Sequence, residues 1–336
     1  MNTSSAKVNI FDFLGGGLVA GVALAAALAV AGILFTGCPN NAGGSDSGGG
    51  AAAPSDKTYT VKGISFTMKK IAAVTGKSVG HPDIVGYTGA NDNEPHSISL
   101  SAYFIGETEV TQELWQAVMG NNPSRFKGSS NPPDGDEEQG KRPVENIEWY
   151  HAIAFCNKLS IACGLELCYT VSGVNFATLH FNNIPKWDDG TWNNAVCDLN
   201  KNGFRLPTEA EWEWAAMGGT EHKWAGTDSE SELGNYAWYY ANGNEKTHQV
   251  KMKSPNGYGL YDMTGNVHEW CWDWYKNSTP AGGQDPTGAA SGNMRVMRGG
   301  SYNNYSSTHN IHRAYRASVK PHENYSIGGL RVACRP

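Results

Sequence analysis

Gly203-Phe204-Arg205-Leu206-Pro207-Thr208-Glu209-Ala210-Glu211-Trp212-Glu213-Trp214-Ala215-Ala216 is the stretch on which the fold reading turns. Pro207-Thr208 opens a helix. Thr208 and Glu211 have capping-box spacing, in which hydroxyl and carboxylate each satisfy the other residue's backbone N–H. Trp212, Trp214, Ala215 and Ala216 follow, and beyond Gly218-Gly219 no further helix is predicted. Upstream, residues 149–162 carry Ala152, Phe155, Cys156 and Leu159, with Cys163 next, at three- and four-residue steps, a helical period. Thr111 caps another helix, with Glu113 in its first turn, Leu114, Trp115 and Val118 on one face, and Asn121-Asn122-Pro123 ending it. Residues 59–62, 64–68 and 101–110 read as strands. The remainder is Gly, Asn, Trp, Tyr and short apolar pairs, a texture of turns and brief strands.

Two later segments complete a pattern: Asn256-Gly257-Tyr258-Gly259-Leu260-Tyr261-Asp262-Met263-Thr264-Gly265-Asn266-Val267-His268-Glu269-Trp270, then Arg298-Gly299-Gly300-Ser301-Tyr302 with a late Gly329-Leu330-Arg331-Val332-Ala333. In this order, the three resemble the formylglycine-generating-enzyme, or sulfatase-modifying-factor, domain over about residues 60–336. The resemblance implies an α+β, C-type-lectin-like fold with few helices, short strands and much irregular structure. It also implies a calcium site at Asp262, Gly265, Val267 and Glu269. Two carboxylates and two backbone carbonyls suit a hard cation; alternatively, these groups only hydrogen-bond the turn.

The resembled enzymes oxidise a target cysteine with copper held by two cysteines that follow the Gly-Gly-Ser-Tyr turn. The same offsets fall here on Asn304 and His309, and no cysteine lies between Cys271 and Cys334. An amide and an imidazole do not replace two thiolates at copper(I). No copper is therefore expected, and no catalytic residue is assigned. His268-Glu269 belongs to no HExxH motif, and no GxSxG elbow occurs.

The tract 302–326 is mostly Tyr, Asn, Ser, His and Thr. This is paratope chemistry: Tyr gives broad amphipathic contact at low entropic cost, and Ser and Asn give adaptable hydrogen bonds. These residues are also reached readily when AAC or AAT codons change at adenine. Framed by the Arg-Gly-Gly-Ser and Leu-Arg-Val-Ala segments, the tract resembles the variable region of diversity-generating-retroelement target proteins. The positions expected to vary and to meet a ligand are Asn303, Asn304, Tyr305, His309, Asn310, His312, Tyr315, Ser318, Val319, His322, Asn324 and Tyr325. Arg313, Arg316 and Pro321 read as frame.

Residues 14–36 are apolar, follow a single Lys7, and close on Leu34-Phe35-Thr36-Gly37-Cys38. This is similar to a bacterial lipoprotein signal peptide over 1–37, with lipid on Cys38. An uncleaved membrane anchor is the alternative, and both place the rest outside the cytoplasm. Residues 38–58 are small and polar, a tether, and residues 59–336 form the domain. The expected place is the bacterial outer membrane, at the cell surface. A net charge of −6 with no basic cluster excludes a nucleic-acid footprint. Of the seven cysteines, the six after Cys38 are either disulfides or buried thiols, and no CxxC occurs. The expected function is a surface lipoprotein binding a protein or glycan, without catalysis. The alternatives are the copper oxidase and a calcium-dependent lectin, although the latter's Glu-Pro-Asn sugar motif is missing.

Overall fold

The computed structural model describes residues 55–84, 92–306 and 309–336. Cys38, the apolar segment and the tether as far as residue 54 lie outside the described residues. The domain begins earlier than residue 59. Asp56 already binds the Lys69 ammonium and the Lys70 N–H, and β1 (Lys57–Val61) starts at the next residue.

β1 turns into β2 (Ile64–Ile71) through Lys62 and Gly63, both at positive φ (49° and 85°). Such a two-residue turn matches the twist of an antiparallel pair. β3 (Val74–Val79), β4 (His96–Leu100) and β5 (Tyr103–Gly106) follow. The strand expected over 101–110 is only four residues long. After Gly106 the backbone leaves the ladder, and Val110 instead bonds the Leu330 carbonyl. α1 (Gln112–Met119) has the Thr111 cap, and Gly120, at φ 81°, ends it ahead of the expected Asn121. α2 (Trp149–Ala162), β6 (Tyr169–Thr170), α3 (Gly190–Asn193) and β7 (Val196–Cys197) come next. α4 (Glu209–Met217) carries the complete Thr208–Glu211 capping box. One further turn of helix, α5 (Leu233–Tyr236), lies beyond it, too short for periodicity to reveal. The chain closes through β8 (His268–Trp274), β9 (Gly283–Gln284), β10 (Arg295–Arg298), β11 (Ala317–Val319), β12 (Gly328–Gly329) and β13 (Ala333–Cys334).

The described strands form sheets ordered β1-β2-β5-β13, β11-β10-β8-β12, β3-β4-β9 and β6-β7. This is the mixed, short-stranded α+β architecture that the sequence predicts. The larger core packs α1 and α2 on the first sheet, with Trp115 stacked on Phe155 at 4.9 Å. A second core surrounds α4, where the Tyr103 hydroxyl donates to the Glu211 carbonyl at 2.6 Å. Arg295 lies among the rings of Trp149, Trp272 and Trp274, 3.8, 4.9 and 3.4 Å from their centroids.

The six described cysteines are free thiols, which removes the disulfide reading. Burial pushes Cys168 up to about 11 and Cys334 up to about 12, so both stay protonated and unreactive. Among the described residues no helix is long and apolar enough to cross a membrane.

Candidate functional site

α4 fixes the tract. Glu209 and Glu213 stand one helical turn apart, and their carboxylates face three buried arginines. Glu209 binds Arg316 through Nε (2.6 Å) and Nη2 (2.9 Å), and Arg298 at 3.2 Å. Glu213 binds Arg298 at 2.7 Å and Arg313 at 3.2 Å. Arg316 Nη1 also donates to the carbonyls of Asp92, Lys276 and Ser278. Two positions of a polar tract are thereby tied to a helix a hundred residues upstream. Such forks fix register because each guanidinium must meet planar acceptors. Pro321 is buried, and its carbonyl accepts from Trp149 N. Arg313, Arg316 and Pro321, read from the sequence as frame, are all buried.

The start of the tract is equally constrained. A Cβ on Gly300 would stand 2.6 Å from the Ile311 side chain, and φ there is 75°. The Asn304 side-chain oxygen accepts from Ser301 N (2.8 Å) and Ser301 Oγ (3.0 Å). Asn304 also hydrogen-bonds His268, whose imidazole burial pushes down to about 4. Asn304 therefore holds the turn as well as bordering the surface. Tyr302 bonds the Ser326 side chain, so the two ends of the tract meet.

The twelve expected contact positions divide. Asn303, Tyr305, Asn324 and Tyr325 are exposed. Asn304, His309, Asn310, Tyr315, Ser318, Val319 and His322 are half-buried. Val319 pairs with Arg295 in the sheet and packs on the larger core, so it faces outward least. His312 is a correction: it is 0% exposed. Its Nδ1 accepts from Ala314 N at 3.0 Å, and its ring meets His81 at 4.6 Å. Burial first, then His81 and Arg313, push it down to about 2. A neutral, enclosed imidazole cannot meet a ligand, so His312 belongs to the frame.

Sequence reading missed two neighbours of the tract. Tyr240 stacks on Tyr305 at 3.8 Å, and its N–H donates to the Asn304 carbonyl. Trp187 is 81% exposed, and the adjacent Asp188 carboxylate stands 3.6 Å from His322 Nδ1. A tryptophan set in the polar run Lys186-Trp187-Asp188-Asp189-Gly190 was the available signal.

Beneath Tyr302, Phe126 packs edge-on at 5.3 Å, and its loop is braced by Glu145, which accepts from Arg125 N and Phe126 N. Burial pushes the Glu145 carboxyl up to about 7, although these N–H groups and Arg142 oppose it. The folded protein therefore keeps a proton that the unfolded chain has lost. This group's contribution falls as pH rises from about 4.5 to about 7, by about 3 kcal/mol at full extent. Glu145→Gln removes the titration. Urea midpoints across that window should show the variant gaining on wild type by that order, and parallel curves would contradict it.

Of the calcium positions, Asp262, Gly265 and Val267 lie in the irregular segment before β8, with Asp262 at φ 57° and Gly265 at φ 83°, and Glu269 lies within β8. Asp262 Oδ1 is buried without a hydrogen-bond partner, while Oδ2 accepts from Lys251 N. Glu269 differs from expectation. Both its oxygens bind Arg331, and Oε2 also takes Trp212 Nε1 at 2.6 Å. Glu109 is buried nearby and accepts from Val267 N and Asn266 Nδ2. Burial, then the Asp262 and Glu269 charges, raise its carboxyl well above the usual range. Burial also raises the Asp262 carboxyl, to about 6, so the three carboxyls around the Arg331 guanidinium are not all held as anions. A hard cation here would take Asp262 Oδ1 and the Gly265 and Val267 carbonyls, with Glu269 shared with Arg331. Among the described residues, no group of three or more His, Cys, Asp or Glu side chains is placed to hold a metal.

The model of the sulfatase-modifying factor enzyme 1-like domain matches residues 51–336. The solved structure of Treponema denticola variable protein 1 is similar with a TM-score of 0.79, at 56% identity over 84% of this chain and 100% of that one. The formylglycine-generating enzyme of Streptomyces coelicolor is 31% identical over 270 residues, 74% of this chain and 83% of its own. The chaperone protein LppX of Paenibacillus barcinonensis is 36% identical over 210 residues, 56% of this chain and 69% of its own.

Proposed function

The chain belongs to the sulfatase-modifying factor enzyme 1-like domain family, and from that premise we propose that it is a non-catalytic, surface-displayed binding lipoprotein whose tract 302–326 is diversified to vary specificity. One observation carries the reading: exposed Asn and Tyr side chains and half-buried His309 and His322 belong to a tract anchored by Arg313 and Arg316, which α4 holds in place. A scaffold whose exposed side chains can change while its buried ones stay fixed is what varied recognition requires. The relative named a variable protein is consistent with this. Lipid on Cys38 would hold the domain at the outer membrane, with the segment that follows as tether. Calcium at Asp262, Gly265, Val267 and Glu269 would be structural, neutralising the buried carboxylates.

Several relatives are formylglycine-generating enzymes, so the oxidase is the reading to test against. Asn304 is occupied in holding the Ser301 turn. Cys271, a cysteine flanking the tract in sequence, is fully buried, and burial raises its thiol well above the usual range. Incubating the full chain with copper and a sulfatase-type cysteine peptide should yield no formylglycine by mass spectrometry. Turnover would overturn the non-catalytic reading. A calcium-dependent lectin would instead show glycan-array binding lost on chelation.

A further inference from the structure

We infer that the face presented by the tract takes a cationic protein segment, whose arginine or lysine side chains lie on aromatic rings with acidic residues close to them in the chain or through a neighbour, and that Trp187 and Tyr240, outside the tract, are fixed members of that surface. The inference rests on the binding reading above and goes beyond it by naming the partner's chemistry.

At three places an acidic side chain bonds the aromatic, bonds the residue after it, or is the residue after it. Tyr240 and Tyr305, 44% and 48% exposed, stack at 28°. The Glu230 carboxylate accepts from the hydroxyl of the next residue, Ser306, at 2.8 Å. Tyr325, 49% exposed, donates its hydroxyl to Glu323 at 3.2 Å. Trp187 is followed directly by Asp188, which stands by His322. Tyr302 and the Ser326 side chain hydrogen-bond, which brings the two ends of the tract together. A ring face attracts a cation through its quadrupole, and a neighbouring carboxylate adds a charge-assisted hydrogen bond. Aromatic rings set beside carboxylates therefore select guanidinium and ammonium groups and disfavour anions.

The arginines of the tract do not compete for these places. Arg313 and Arg316 are buried on Glu213 and Glu209. Exposed cations nearby include Lys320, 3.3 Å from Glu323, Lys186, and Arg125, whose charge acts on Tyr302. The chain as a whole is at −6. Tyr240 and Trp187 lie outside 302–326, so they would serve each version of the tract, while the tract residues choose among basic partners. Trp and Tyr are the residues that most often anchor such interfaces.

The test uses the full-length chain in detergent and labelled nona-arginine and nona-glutamate peptides, read by fluorescence anisotropy. Trp187→Ala, Tyr240→Ala and Tyr305→Ala leave the net charge unchanged, so generic attraction is constant across the series. Their exposure makes unfolding unexpected, and far-UV circular dichroism checks it. Nona-arginine should bind, nona-glutamate should not, and each substitution should weaken binding about 3- to 10-fold. Absence of nona-arginine binding, or preference for nona-glutamate, would overturn the partner class. Affinities unchanged in Trp187→Ala and Tyr240→Ala would overturn the fixed anchors. A loss confined to Tyr305→Ala would do the same while leaving the binding reading intact. Failure of that reading would show separately, as a tract that does not vary between copies.

Discussion

Glu209→Ala is expected to lower folding stability by about 3–5 kcal/mol, the usual cost of leaving a buried charge without its partner. Glu209 is shared by Arg298 and Arg316, and its removal leaves Arg316 with no bonded carboxylate and Arg298 with Glu213 alone. The loss should have a location. Arg316 leads into β11, so amide exchange should accelerate over 313–319 more than in α1 or α2. Asp273 moderates the effect. Burial and the Glu209 charge hold its carboxyl above the usual range. With Glu209 gone it can ionise toward Arg316, and Asp273→Asn in the same background should remove that compensation. Denaturant midpoints of the single and double variants measure both effects.

Arg331→Ala is expected to be comparably severe, about 3–5 kcal/mol. The guanidinium bonds Glu269 through Nε and Nη2, and the Gly106 and Tyr261 carbonyls through Nη1 and Nη2. Without it, Glu109, Asp262 and Glu269 are left with no guanidinium among them. Arg331→Lys should recover little, since an ammonium cannot reproduce four directed contacts to carboxylate and carbonyls. If calcium is structural here, added calcium should raise the midpoint of the wild type and restore part of the loss in Arg331→Ala. It should do neither in Asp262→Ala. Indifference of all three proteins to calcium and chelator would remove the calcium proposal without touching the arginine argument.

The sequence was informative where interactions are local. The Thr208–Glu211 box, the three- and four-residue steps of α2 and the β1–β2 alternation depend on neighbours within a few positions, and each element is present. What could not be read depends on distant partners. His312 has the composition of a contact residue, and only its packing on His81 makes it frame. Asn304 differs from Asn303 only because its oxygen turns back on Ser301. Glu269 matches a calcium ligand, but a residue 62 positions away occupies its oxygens. Arg313 and Arg316 read as frame from the sequence, but that reading could not name their partners, Glu213 and Glu209. Trp187 and Tyr240 stand near the tract only through the fold, since both lie far upstream of it in the sequence.

On the proposed function, exposed tract residues change between copies of this gene while the buried frame does not. Sequencing this locus in many isolates tests it most directly. Replacements should concentrate at Asn303, Tyr305, His309, Asn310, Tyr315, Ser318, His322, Asn324 and Tyr325, with His312, Arg313, Arg316 and Pro321 unchanged. Replacements spread evenly over the gene, absent from 303–325, or as frequent at the buried positions as at the exposed ones would contradict it.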